Sequence, residues 1–175
     1  KPAPPITILK SAEGLEYLST IVLYIVIHDR DVLNCSYLYM VDRLYNRVSN
    51  TNRFHQQLSP EGENMLALEI TCHFNNDIWN STDEVLFEQC IGDLESDGFI
   101  SRSEVKQFFT IRIKNAYPFY RLGYEKKLTA IFDYFKQLPG LVLAGRTGAY
   151  KYMDIDQCME DTAELIKRFK KKGAI

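Results

Sequence analysis

Leu66-Ala67-Leu68-Glu69-Ile70-Thr71-Cys72-His73-Phe74 is the stretch on which the fold turns. Leu66, Leu68, Ile70, Cys72 and Phe74 alternate with Ala67, Glu69, Thr71 and His73. A period of two sends successive side chains to opposite faces, so this is a strand with one face buried. Pro60-Glu61-Gly62 marks the turn into it. Residues 20–29 are apolar at nearly every position, as in a strand covered on both faces. Asp29-Arg30-Asp31 is expected to turn the chain, and residues 35–41, with Tyr37, Tyr39 and Val41 on one parity, to return as a second strand paired with the first. Residues 43–52 read as irregular surface chain anchored by Tyr45 and Val48. Phe109, Ile111 and Ile113 alternate with Thr110, Arg112 and Lys114 in a further strand, which Pro118 should stop.

Helical spacing appears between and after these strands. Ser81 as a cap with Glu84 three residues on predicts a helix over 82–95, with Leu86, Cys90 and Leu94 on its inner side. Tyr124, Leu128, Ile131, Phe132, Phe135 and Leu138 form a second stripe, stopped by Pro139-Gly140. Leu141-Val142-Leu143-Ala144 suggests a short buried strand, Gly145 and Gly148 a turn, and Met159, Ala163, Ile166 and Phe169 a terminal helix. The expectation is an α+β fold: an antiparallel or mixed sheet with packed helices, plus a C-terminal strand, glycine loop and helix. A Pro-rich extended lead-in would occupy 1–14, the main region 15–140 and the closing unit 141–175.

The 175 residues (20.3 kDa) are 46% hydrophobic and 25% charged, enough for a core and unlike a disordered chain. Lys plus Arg number 21 against 23 Asp plus Glu, a net charge of -2, so no basic field invites nucleic acid. The basic finish of Lys167, Arg168, Lys170, Lys171 and Lys172 suits a helix C-terminus. The longest apolar run, residues 21–27, falls far short of the roughly 20 residues of a membrane-spanning helix. Lys1-Pro2-Ala3-Pro4-Pro5 lacks the apolar core of a secretory signal, and the absence of an initiator Met suggests trimming. Cys35, Cys72, Cys90 and Cys158 match neither a zinc spacing nor a disulfide-dense scaffold, so buried reduced thiols and a cytoplasmic location are expected. Asn34-Cys35-Ser36 and Asn80-Ser81-Thr82 would accept glycans only in a secretory setting.

Residues 93–104 (DLESDGFISRSE) nearly reproduce a calcium loop. Asp93, Glu95, Asp97 and Glu104 occupy its first, third, fifth and twelfth positions, Gly98 its sixth, and the Phe99 carbonyl its seventh. Such a loop leads into a helix, whereas the chain that follows alternates like a strand, and no second loop occurs. The preferred reading is a polar helix-to-strand turn, with a calcium-binding module as an alternative and no metal ligands assigned. His28, His55 and His73 form no recognisable metal triplet and are read as structural or surface residues.

Two further segments bear on function. Ala116-Tyr117-Pro118-Phe119-Tyr120-Arg121-Leu122-Gly123-Tyr124 precedes the second helix, and LVLAGRTGAYKYMDIDQ fills 141–157. Together they resemble the C-terminal part of flavin-dependent amine oxidoreductase-like proteins, especially the UDP-galactopyranose mutase and protoporphyrinogen oxidase-like group. The resemblance spans 15–170 and is most specific over 116–157. It implies that Gly145 and Arg146 match the group's GR pair, and that Asp154, Ile155 and Asp156 fall where its Asn or Asp, Met and Asp occur. These five positions are the implied FAD-binding residues, with Ile155 a departure from Met that a backbone contact would survive. The residue chemistry agrees: glycines allow close approach, an arginine fork suits a diphosphate, and free helix-start amides suit a flavin carbonyl. Tyr117, Tyr150 and Tyr152 are candidate substrate-facing residues, as is Arg47, with Glu69 a possible partner. Surface pairing of Arg47, an ion pair for Arg146, and aromatic packing of the tyrosines, Tyr120 and Tyr124 included, stand beside those roles.

No Gly-x-Gly-x-x-Gly unit follows an early strand. The expectation is therefore a C-terminal segment of an FAD-dependent oxidoreductase or sugar-nucleotide mutase-like protein, not catalytic alone, its Rossmann segment supplied upstream or by another chain. FAD would be held by the complete protein, whose substrate would be a nucleotide sugar or an oxidisable molecule. The catalytic residues are unknown. The alternative is a noncatalytic protein-binding or assembly module.

Overall fold

The computed structural model describes residues 3–28 and 31–171. Among them the chain runs α1 (Ile6–Glu13), β1 (Glu16–His28), β2 (Tyr37–Tyr39), β3 (Arg47–Asn50), β4 (Glu63–Cys72), α2 (Asp77–Asn80), α3 (Asp83–Ser96), β5 (Val105–Phe119), α4 (Tyr124–Lys136), α5 (Gly145–Gly148) and α6 (Ile155–Lys171), with short 3-10 turns between. This is the expected α+β class, with an antiparallel sheet ordered β2-β3-β4-β1-β5. No helix among the described residues is long and apolar enough to cross a membrane.

β4 behaves as its alternation demands: Asn64, Leu66, Leu68, Ile70 and Cys72 are buried while their neighbours are only partly so. Antiparallel register sets Leu68 opposite Leu23 of β1 and Val48 of β3. Leu86, Phe87, Cys90, Ile91 and Leu94 of α3 complete the cluster with Ile21, Leu23, Ile25 and Tyr45. The alternation runs out at Cys72, and Phe74 stands 41% exposed beyond the strand.

Several expectations are corrected. β1 does not pair with the next strand; β2 pairs with β3, which lies between it and β4. The sequence Arg47-Val48-Ser49-Asn50 hides β3, because a four-residue strand with one apolar side chain carries almost no periodic signal. Tyr45 and Val48 are nonetheless the buried anchors expected of that region. Asp29 and Arg30 of the expected turn lie outside the described residues. The lead-in is not extended: helix α1 begins directly after Pro5, whose ring is preorganised for a helix start. Lys1 and Pro2 are outside the described residues. Pro118 sits within β5, which an edge strand tolerates because one row of its amides needs no ladder partner. Leu141 to Ala144 is not a strand; the sheet does not include it, and Leu141 and Val142 are 44% and 46% exposed. The C-terminal unit is thus loop, helical turn and helix. Lys172 of the basic finish is outside the described residues.

Helix α3 starts one residue later than expected. The Thr82 hydroxyl accepts the Val85 amide at 3.4 Å, while Ser81 ends α2 and donates its hydroxyl to the Asp77 carbonyl at 2.8 Å. Thr82→Ala should therefore cost about 1 kcal/mol in urea unfolding, and Ser81→Ala less than about 0.5 kcal/mol. A larger loss at Ser81 than at Thr82 would refute this capping assignment.

The four cysteines are free, but only Cys72 and Cys90 are buried; Cys35 is exposed and Cys158 half-buried. Burial, aided by Asp93, pushes the Cys90 thiol up to about 12. The chain forms two compact units, Leu18–Ala116 and a second joining Lys1–Tyr17 to Tyr117–Ile175. The division differs from the three consecutive segments expected, because α1 packs against α4 and joins the C-terminal unit.

Candidate functional site

The second unit carries most of the candidate residues. After α4 the chain reaches Gly145 with φ at 68°, a left-handed conformation that disfavours other residues. A side chain there would meet nothing within 4 Å, so backbone geometry rather than crowding calls for glycine. One helical turn follows, in which the Ala149 amide donates to the Gly145 carbonyl at 2.8 Å and the Lys151 amide to the Arg146 carbonyl at 3.0 Å. That turn aims the Arg146 side chain at the start of α6, where Nη1 donates to the Met153 carbonyl at 3.0 Å. The guanidinium carbon lies 4.8 Å from the Tyr117 ring centre and 4.6 Å from that of Tyr152. The two rings stack at 5.9 Å, 19° from parallel. A delocalised cation against aromatic faces keeps its charge while its long side chain is oriented.

Asp154 stands just ahead of α6. Its amide donates to the Gln157 side-chain oxygen at 3.0 Å, and its carbonyl takes the Cys158 amide at 3.0 Å. The Ile155 and Asp156 amides precede that first intrahelical bond and belong to the donors a helix start leaves without a partner inside the helix. Arg146, Met153, Asp154, Ile155, Met159 and Ala163 line one groove of about 640 Å³. The Cys158 thiol, 3.9 Å from the Met153 sulfur, also contributes to it. Ile155 is 82% exposed and Met159 69%. A groove with a cation and helix-start amides at one end and an apolar floor can hold an anionic group joined to a flat apolar ring.

Gly145, Arg146, Tyr117, Tyr152, Asp154 and Ile155 therefore share one neighbourhood, and Asp156 follows on the exposed first turn of α6. Tyr150 has a different task. It is 4% exposed, with φ at 48°, and packs edge-on against Tyr17 at 5.1 Å. Its hydroxyl reaches the carbonyls of Glu16 and Phe119, the latter at 3.1 Å. Burial raises its phenol above the ordinary value. The ring is enclosed by these aromatic and backbone neighbours. Tyr120 meets Tyr124 at 4.7 Å and accepts the Tyr152 amide on its hydroxyl at 2.7 Å.

Arg47 belongs to the other unit. It sits opposite Glu69 in the β3–β4 ladder, donates to its carboxylate from Nε at 2.9 Å, and lies over Tyr37 and Tyr39. The calcium-like carboxylates are occupied in a different way from a metal loop. Helix α3 continues to Ser96, so Asp93 and Glu95 stand on a helix; Asp97 takes the Arg43 Nε at 3.2 Å. Glu95 accepts the Arg102 amide and Glu104 the Ser101 amide, each at 2.7 Å. Among the described residues no three His, Cys, Asp or Glu side chains are grouped to hold a metal. His55 accepts the Gln57 amide on its ring at 3.2 Å. Sequence reasoning missed Met153 and Met159 as groove walls, although the spacing of Ile155, Met159, Ala163 and Ile166 was the available signal.

No family model matches this sequence, and no curated protein does. Its fold is similar to that of reduced UDP-galactopyranose mutase, with a TM-score of 0.69 and 20% identity over 82% of this chain and 31% of the other. It is also similar to a protoporphyrinogen oxidase candidate from Exiguobacterium sp. 255-15, with a TM-score of 0.68 and 19% identity over 94% of this chain and 37% of the other. This chain thus spans about a third of the length of those structures. The likeness is one of fold, and it falls on the same group that residues 116–157 resemble.

Proposed function

We propose that this chain is the C-terminal portion of an FAD-dependent oxidoreductase or sugar-nucleotide mutase-like protein, supplying a substrate-facing sheet and one edge of the flavin site. The observation that carries the reading is the single groove shared by Arg146 and the start of α6. The sequence resemblance and the fold likeness support it from two directions. The donor set fits the cofactor: Arg146 suits a diphosphate oxygen, the Ile155 and Asp156 amides suit a flavin carbonyl, and Met153 and Met159 suit the ring's apolar edge. Gly145, open on its Cα side, lets a phosphate approach the backbone.

FAD, when bound, supplies the electron chemistry of such a protein. The residues of this chain would bind and orient it. Tyr117 and Tyr152 hold the Arg146 guanidinium in place, and Gln157 fixes the Asp154 amide so that α6 begins at Ile155. The dinucleotide-binding segment would come from the same polypeptide or from another chain, and the substrate would be a nucleotide sugar or an oxidisable small molecule. Four free thiols suit a reducing compartment such as the cytoplasm. A second reading, a noncatalytic assembly module, draws on the exposed Ile155 and Met159.

The test is visible flavin absorbance after gel filtration of the chain alone and of the chain joined to a dinucleotide-binding segment from its structural relatives. Retention of flavin by the joined protein, with little by the chain alone, is the expected result. A joined protein that folds, assembles and retains no flavin would leave the assembly reading.

A further inference from the structure

We infer that the segment from Phe74 to Asp83 is a strap that closes the outer edge of β5 against a strand of another chain, with Asp83 as its clasp. The strap and the part of β5 it holds lie within the Leu18–Ala116 unit, whereas the groove assigned to flavin lies in the other unit. β5 is the longest strand, and among the described residues no strand lies beyond it in the sheet. Phe108-Phe109-Thr110-Ile111-Arg112-Ile113 is rich in β-branched and aromatic residues, and Phe109, Ile111 and Ile113 are 39%, 48% and 45% exposed. A long edge of that composition is a template for a further strand unless something occupies it.

The strap occupies it at alternate residues. Asp83 Oδ2 accepts the Thr110 backbone amide at 3.1 Å, and its Oδ1 accepts the Thr110 hydroxyl at 2.7 Å. A strand's amides lie in the plane of the sheet and point to one neighbour or to the other. The Thr110 amide is taken by a side chain of α3 rather than by β1, so it faces outward. Arg112 comes next: its Nη1 donates to Asp83 Oδ1 at 2.8 Å and its Nη2 to the Ser81 carbonyl at 2.7 Å. Lys114 follows, its ammonium 4.1 Å from the centre of the Phe74 ring. Thr110, Arg112 and Lys114 thus meet Asp83, Ser81 and Phe74 in turn. Asp83 is the member that takes a backbone donor, which is the group a foreign strand would need. Its carboxylate is free for this because Thr82 caps α3. A charged acceptor holds a backbone amide more strongly than the neutral carbonyl of an incoming strand.

Two measurements on the whole chain test the strap. In hydrogen-exchange NMR the Thr110 amide should exchange as slowly as the ladder amides of β4. Exchange at the rate of an exposed loop amide overturns the inference without any substitution. In sedimentation velocity, Asp83→Ala, shown to be folded by circular dichroism, should self-associate about tenfold more tightly than the parent. Adding Ile111→Lys, which sets a charge on the freed edge, should return it to the parent's behaviour. A folded Asp83→Ala protein that associates no more than the parent refutes the clasp. Association that Ile111→Lys leaves unchanged places the contact elsewhere and equally refutes it.

Discussion

Arg146→Ala is expected to weaken flavin retention by the joined, flavin-binding protein about 10- to 100-fold. The substitution removes a charge-assisted contact to the cofactor, worth roughly 1.5–3 kcal/mol, where each 1.4 kcal/mol is about tenfold in affinity. It also removes the bond to the Met153 carbonyl and the contacts with Tyr117 and Tyr152 that orient the start of α6. Arg146→Lys should recover only part of the loss, because an ammonium keeps the charge but not the planar fork. Fluorescence titration with FAD reads both variants. Equal affinity in Arg146→Ala and the parent would remove the arginine from the cofactor edge, whatever the fold.

Leu68→Ala should destabilise the Leu18–Ala116 unit by about 2–5 kcal/mol, the largest stability effect anticipated. Leu68 is fully buried at the middle of β4, faced by Leu23 on one side and Val48 on the other. Neighbours tied into two ladders cannot close the cavity that the lost methyl groups leave. Ile111→Ala on β5, where the side chain is 48% exposed, should change stability by less than about 1 kcal/mol. Urea unfolding followed by far-ultraviolet circular dichroism compares the pair. Similar midpoints for the two variants would mean that the packed center of the unit is elsewhere.

What could be read in advance follows from how burial writes itself into a chain. β4 was legible because one face is buried and the other is not, and α3 and α4 because one stripe meets the rest of the protein. β3 was not, since its stability comes from neighbours on both sides rather than from its own composition, and without it β2 was paired wrongly. Leu141 to Leu143 misled in the opposite direction: three consecutive apolar residues are a strand only when another strand lies alongside. At the candidate site, the Gly145-Arg146 pair and the start of α6 were legible by resemblance. The burial of Tyr150 was not, because nothing in a tyrosine's neighbours along the chain says whether its ring points in or out.

The unequal environments of the cysteines give the molecule a built-in reporter. Alkylating reagents attack thiolates, so Cys35 offers an accessible attachment point for a dye, whereas Cys90 is shielded both by enclosure and by its reluctance to ionise. Covalent tagging of Cys90 consequently records excursions that open the sheet-and-helix interior, and the ratio of the two tags measures how often the protein breathes.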